Sequence, residues 1–288
     1  MTVTHSQLAH RHIDHDAPHE DYGGLHRDLK ATGAAMDRRR VLRLAASLGA
    51  GLGALQLLGC RDSAAATGTN SNGDTGNTGG GACSLIPTET AGPYPGDGSN
   101  GANVLPLTGV VRSDIRSSFA GLSGTAVGIP LVVELTIVSA TTCSPLGNRA
   151  VYIWHCDRGG NYSLYSSAVL TQNYLRGVQA ADSNGKVTFT TIFPGCYSGR
   201  WPHIHFEVFP SLTAATNIAN KVATSQIALP KATCDLVYAT SGYSASVTNL
   251  SQISLATDNV FSDGASLQLA TMSGNVTDGF TARLTVAV

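Results

Sequence analysis

The run His203-Ile204-His205-Phe206-Glu207-Val208 alternates polar and apolar residues without a break. Side chains of a β-strand point to opposite faces with period two, so a strand here puts His203, His205 and Glu207 on one face. Ile204, Phe206 and Val208 fall on the other face, which suits a core. Two imidazoles side by side on a rigid strand make a ready metal chelate, because neutral imidazole is the commonest nitrogen ligand for iron, copper and zinc. Tyr197 and Arg200 stand just upstream, within reach of the same place. A structural pair of surface histidines fits the same pattern, so the pair alone does not decide for a metal.

The rest of the chain has the same strand texture. Short β-branched runs separated by turn residues occur at 108–113, 130–138, 149–157, 187–193, 203–209, 222–229, 266–272 and 280–287. No βαβ rhythm is present. The pattern predicts an all-β fold, a β-sandwich of short, mostly antiparallel strands with long loops around the site. Asp182-Ser183-Asn184-Gly185 carries an Asn-Gly turn signal leading into 187–192, which predicts a hairpin. Residues 232–240 and 245–252 read as short helices or loops.

The first 82 residues do not read as fold. Residues 1–35 hold six of the nine histidines, which suits a metal-binding tail, a leader that is removed, or untranslated sequence ahead of a start at Met36. A removed leader or untranslated sequence is preferred to a metal-binding tail because a targeting signal follows. Asp37-Arg38-Arg39-Arg40-Val41-Leu42-Arg43 and the apolar stretch Leu44 to Leu58 resemble a Tat export signal, and the stretch is short for a membrane span. Leu57-Leu58-Gly59-Cys60 resembles a lipobox, so residues 36–60 predict export and a lipid tether through Cys60, with simple cleavage near Ala64-Ala65-Ala66 as the alternative. Residues 61–82 are a Ser/Ala/Thr/Gly/Asn linker. The folded domain is then 83–288, at the cell surface or outside the cell.

Without Cys60 five cysteines remain, enough for two disulfides and one thiol in an oxidising compartment. Spacing does not fix the pairing; a bridge between Cys156 and Cys196 is attractive because they flank two tyrosines of interest. A net charge of −1 with only 13 % charged residues gives no broad basic surface for nucleic acid. Neither a Gly-x-Gly-x-x-Gly segment nor a Walker loop is present.

Three histidines fall in the domain: His155, His203 and His205. A lone histidine beside Trp154 is best read as structural, as are Tyr152, Tyr165 and Tyr174 at strand ends. Two further clusters stand out. Trp154-His155-Cys156-Asp157-Arg158-Gly159-Gly160-Asn161-Tyr162 turns through two glycines onto a tyrosine, and Pro194-Gly195-Cys196-Tyr197 does the same after the next strand. Together with Asp182-x-x-Gly185, Arg200-x-x-His203-x-His205 and Thr90-Ala91-Gly92-Pro93-Tyr94, these pieces resemble the intradiol ring-cleavage dioxygenases of the catechol and protocatechuate type, over roughly residues 88–230.

The resemblance implies a mononuclear non-haem Fe(III) held by Tyr162, Tyr197, His203 and His205. Phenolate oxygen suits a hard ferric ion. It further implies that a catechol chelates the iron, displacing Tyr197, whose phenolate takes up a substrate proton. O2 then attacks the ring, which opens between its hydroxyls to a cis,cis-muconate-type diacid. Arg200 matches the family's active-site arginine, and Trp154, Tyr94 and Gln226 match substrate-pocket positions. The implied partners are a small aromatic diol and O2, and the family tends to form homo-oligomers.

The chain departs from the family in four places. Five residues separate Tyr197 from His203, residues 211–223 have no obvious counterpart, the segment after about residue 233 matches only in strand texture, and the helical dimerisation region of the catechol branch is missing. A shortened rim would admit bulkier catechols. Two other readings compete. His203, His205 and Glu207 could form a two-histidine, one-carboxylate site for Fe(II) or Zn(II). The domain could also be an exported β-sandwich that binds metal, an aromatic ligand or polysaccharide without catalysis.

Overall fold

In the computed structural model, which describes residues 83–288, eight strands form two four-stranded sheets. The extension 1–35, the export signal with Cys60 and the linker 61–82 lie outside the described residues. The strands are β1 (Pro130–Val138), β2 (Ala150–Trp154), β3 (Arg176–Ala180), β4 (Lys186–Ile192), β5 (His203–Phe209), β6 (Ala223–Ala228), β7 (Thr271–Asn275) and β8 (Gly279–Ala287). Two short helices, α1 (Lys231–Tyr238) and α2 (Ser244–Ser251), follow β6. One sheet has the order β4-β1-β8-β7 and the other β3-β2-β5-β6. All neighbours are antiparallel except β1 and β8.

Alternation builds the core between the sheets. Leu131, Val133, Leu135 and Ile137 of β1 point inward and meet Val151, Ile153, Ile204, Phe206 and Val208 of the second sheet. Fully burying each aliphatic chain of this size contributes about 1.5–3 kcal/mol. Glu134, between them in sequence, points outward to Lys186 and Arg283, at 2.9 and 2.8 Å. Strand β5 differs from β1 in being buried on both faces. Its histidine face is covered by a second cluster that includes Tyr152, Trp154, Tyr162 and residues of the segment before β1. That segment is pinned along the sandwich by Ile86 N–H to the Ala287 carbonyl (3.0 Å) and Glu89 N–H to the Thr224 carbonyl (2.9 Å).

Several expectations need correction. The turn at 182–185 forms, with Gly185 N–H donating to the Asp182 carbonyl at 2.9 Å. It does not close a hairpin: β3 and β4 belong to different sheets, so the turn carries the chain from one layer to the other. Strand β3 escaped notice because Arg176-Gly177-Val178-Gln179-Ala180 lacks an apolar alternation, and Gly177 is needed where a Cβ would meet Ile115 Cγ2 at 2.5 Å. Residues 108–113 give a single bridge, Val111 to Val178, rather than a strand. The strand expected at 266–272 starts at Thr271, because 265–269 form a turn. Cys156 and Cys196 are not bridged; the disulfide joins Cys83 to Cys143, and Cys156, Cys196 and Cys234 are buried thiols.

His155 is structural in a specific way. It follows β2 in one sheet, and its Nε2 accepts from the hydroxyl of Thr191, in β4 of the other, at 2.7 Å; its Nδ1 donates to the Cys156 carbonyl at 2.8 Å. Burial pushes its pKa down from 6.5 to about 4. A folded-state value below the unfolded one means that the stability is present above about pH 6.5 and lost as the pH falls toward 4. For this group alone the loss is on the order of 3 kcal/mol. Urea unfolding of wild type and His155→Gln between pH 4 and 7 should show a shallower fall in the variant; equal slopes would mean that His155 is not held neutral.

Candidate metal centre

Three elements deliver four donor atoms to one place. Strand β5 puts His203 and His205 on the same face, with Trp154 of β2 and Gln226 of β6 directly beside His205. After β2 the chain turns at Asp157, whose Oδ1 accepts the N–H groups of Gly159 (2.8 Å) and Asn161 (2.9 Å), and this turn presents Tyr162. After β4, Pro194-Gly195 presents Tyr197. The two loops pack backbone to backbone. Gly195 N–H donates to the Asp157 carbonyl at 3.0 Å, a Cβ on Gly195 would stand 2.6 Å from the Arg158 oxygen, and one on Gly160 would stand 3.0 Å from Tyr197 Cβ. Close approach is thus the reason for glycine in both tyrosine-bearing turns.

His203 Nε2 lies 3.0 Å from His205 Nε2, 3.3 Å from the Tyr197 hydroxyl oxygen and 3.4 Å from that of Tyr162. His203 Nδ1 donates to the Trp201 carbonyl at 2.5 Å, which leaves Nε2 with a single in-plane lone pair. One lone pair accepts one strong hydrogen bond, not three. A shared cation would satisfy all four atoms at once: donors about 2.0–2.1 Å from a common ion, at angles of about 90–110°, stand roughly 2.8–3.4 Å apart. Burial keeps both imidazoles neutral, pushing each well below the usual histidine range, and holds the proton on the buried Tyr162 phenol well above its usual range. A bound cation reverses that preference for a phenol, because it favours the anionic form.

The remaining predicted residues fall around these donors. Trp154 is fully buried and stacks flat on His205, with ring centroids 4.9 Å apart and planes within 5°. Tyr94, half-buried, places its ring 4.8 Å from that of Tyr162. Arg200 is fully buried; its Nη2 donates to Gln226 Oε1 at 2.6 Å, and Gln226 Nε2 donates to the Thr90 carbonyl at 2.9 Å. Trp154 and Gln226 therefore act on the site by holding His205 and Arg200.

Glu207 shares the histidine face but does not join the cluster. It is buried, not a surface residue, and its Oε1 accepts from Lys221 Nζ at 2.9 Å and more weakly from the Thr224 hydroxyl at 3.4 Å. Lys221 belongs to the 211–223 segment, which folds into two 3-10 turns. Among the described residues no group of three or more His, Cys, Asp or Glu side chains is placed to hold a metal, so the two-histidine, one-carboxylate reading fails.

Two residues with large roles had no signal in the sequence. Asp258 forms a buried ion pair with Arg200, Oδ2 to Nε 3.0 Å. Arg176, also fully buried, donates to the carbonyls of Tyr94 (2.9 Å), Pro95 (2.7 Å) and Ser163 (2.9 Å) and to the Ser163 hydroxyl (3.0 Å). It thereby ties the Tyr94 segment to the loop that carries Tyr162.

The family model described as Dioxygenase matches residues 113–241, which include all four converging side chains and Arg200. A solved structure of an intradiol ring-cleavage dioxygenase from Tetranychus urticae is similar at 26 % identity and a TM-score of 0.54, covering 71 % of this chain and 94 % of that one. A second dioxygenase structure is similar at 27 % identity and a TM-score of 0.55, with the same coverage of both chains. The dioxygenase domain of a dioxygenase carbohydrate-binding protein fusion from Streptomyces sp. SirexAA-E is 19 % identical, with a TM-score of 0.45 over 71 % of this chain and 98 % of that one. No curated protein matches the sequence.

The packing of the two glycine turns yields a direct test. Gly195→Ala forces a methyl group against the Arg158 backbone and should destabilise the domain by about 1–3 kcal/mol. Denaturant unfolding measures it, and a midpoint equal to wild type would show that the turns can separate at no cost.

Proposed function

With the chain a member of the intradiol ring-cleavage dioxygenase family, we propose that it opens the ring of a catechol-type diol between its two hydroxyls, using O2, to a cis,cis-muconate-type diacid. The observation that carries this reading is the convergence of two imidazoles and two phenols, with donor atoms 3.0–3.4 Å from His203 Nε2, beside a buried arginine. Tyr162, Tyr197, His203 and His205 would hold a single Fe(III). Bound there, ferric iron would supply a Lewis acid that draws electron density from a chelated diol and primes the ring for O2.

The protein's own residues divide the remaining work. Tyr197 is the more exposed of the two tyrosines, so its phenolic oxygen is the one that an arriving diol hydroxyl can reach and the one that takes its proton. Tyr162, fully buried beneath the Tyr94 ring, stays in place. The Trp154 ring, flat against His205, prevents that imidazole from tilting while the substrate binds. Tyr94 forms a wall against which an aromatic ring can lie. Arg200 supplies a fixed positive charge, desolvated and therefore strongly felt, to offset negative charge developing on the diol oxygens. The apolar and aromatic cluster around Tyr152, Trp154 and Tyr162 excludes water from the same space.

The test is a purified, iron-loaded sample. It should show a visible phenolate-to-iron absorption that shifts or bleaches in Tyr162→Phe and in Tyr197→Phe. It should consume one O2 per catechol and yield an acyclic diacid. Arg200→Ala should keep the colour and lose about 10²–10³-fold in kcat. An iron-replete sample that takes up no O2 with any of a panel of catechols would sink the reading in favour of a non-catalytic module.

A further inference from the structure

We propose that Asp258 is a positioning residue for the reaction: it sets the orientation of the Arg200 guanidinium over the site without touching the donor cluster. The inference rests on the dioxygenase reading and concerns a residue beyond the matched segment 113–241.

The geometry is that of a two-sided clamp. Asp258 is fully buried, as is Arg200. Its Oδ2 accepts from Arg200 Nε at 3.0 Å and from the Trp201 N–H at 2.7 Å. Its Oδ1 accepts from the N–H groups of Val260 at 2.8 Å and Phe261 at 3.1 Å. The carboxylate is therefore fixed by its own turn through one oxygen and grips the Arg200-Trp201 segment through the other. Gln226 holds the guanidinium at Nη2, and is itself held by Thr90. Two anchors at Nε and Nη2 define the plane of a rigid, planar group.

The same part of the chain grips the loop ahead of Arg200. In α2, Ser246 Oγ accepts the Cys196 N–H at 2.9 Å, and Asn249 Nδ2 donates to the Cys196 carbonyl at 2.8 Å. Tyr197 and Arg200 are thus carried on one loop, 196–201, whose two ends are both fastened to residues 246–258. A buried guanidinium deprived of its carboxylate is left with an uncompensated charge. Asp258 removes that penalty while keeping the cation where the site needs it. The expected signature of such a role is a loss in turnover with the donors intact, since residues that orient others in a metal site typically change activity by about 10–100-fold.

The experiment uses the full chain, iron-loaded, as wild type, Asp258→Asn, Asp258→Glu, Arg200→Ala and the Asp258→Asn/Arg200→Ala double variant. Iron content and the visible absorption of the resting protein are measured beside kcat and KM for O2 uptake with catechol. Asp258→Asn keeps the shape but has one acceptor oxygen where the carboxylate has two. It should retain iron and colour, lose 10–100-fold in kcat and change KM by less than about 3-fold. Asp258→Glu should recover part of the loss, and the double variant should be no slower than Arg200→Ala alone. A kcat for Asp258→Asn within 2-fold of wild type would overturn the inference. So would a loss that tracks the loss of iron and colour, or one that recurs in full in the Arg200→Ala background. A wild type inactive on every catechol would instead overturn the dioxygenase reading, and this inference with it.

Discussion

Strand β5 carries two imidazoles and a carboxylate on a face that is sealed from water, and the surrounding architecture answers that constraint. Burying a polar group without a partner costs about 2–7 kcal/mol, and burying an unpaired charge costs more. The fold partners most of this face, leaving Glu207 Oε2 and His205 Nδ1 without a hydrogen bond. Glu207 takes Lys221, Arg200 alongside takes Asp258, and His203 Nδ1 takes the Trp201 carbonyl. What remains is a knot of two imidazole nitrogens and two phenol oxygens, three of them crowded within 3.4 Å of His203 Nε2. The face is polar in the middle of a core because those four atoms have a common use.

The sequence made the frame of this arrangement visible and hid its fastenings. The period-two runs of β1, β5 and β8 were legible because each buries a regular apolar face, and the glycines at 159–160 and 195 marked turns with a tyrosine beyond them. Family resemblance then supplied the grouping of Tyr162 and Tyr197 with His203 and His205. Strand β3 was illegible because its partners, not its own pattern, make it a strand. Its arginine cross-links loops that are distant in the chain: Arg176 Nη1 donates to the Pro95 carbonyl, 81 positions away, and Nη2 to the Ser163 carbonyl, 13 positions away. The Asn-Gly pair at 184–185 makes a turn but no hairpin, since turn chemistry fixes local geometry but not which sheet the next strand joins. Asp258 gave no signal at all: a lone acid in a loop acquires meaning only when folding brings Arg200 to it.

The two ends of β1 divide the domain's tasks. At its start, Pro130 pairs with Ile192, and the Tyr197 turn begins just beyond. At its finish, Cys83 and Cys143 are bridged next to Val138, with Cys83 N–H bonded to the Ala140 carbonyl at 3.0 Å. A nine-residue strand spans about 26 Å between first and last Cα at about 3.3 Å per residue. The covalent staple therefore acts where the described chain begins, and the loops that must fit a ligand are held by hydrogen bonds at the opposite end. A staple among those loops would constrain them; the thiols of Cys156 and Cys196 lie there instead, each packed against backbone carbonyls.

The choice of phenols over the nearby carboxylate follows from charge. Glu207 is two residues along the same face from His205, yet turning it toward the donors would leave Lys221 without the carboxylate it now meets. A phenol has no such cost: buried and without a cation, Tyr162 holds its proton and the site is neutral. A highly charged cation would favour the phenolate form of both tyrosines, giving hard anionic ligands whose charge would offset its own. Arg200, held by Asp258 and Gln226, is a donor-only group with no lone pair to offer and so would leave any metal binding to the tyrosines and histidines. The two phenols would thus stay neutral without an ion and gain charge only in response to one, whereas Glu207 is already committed to Lys221.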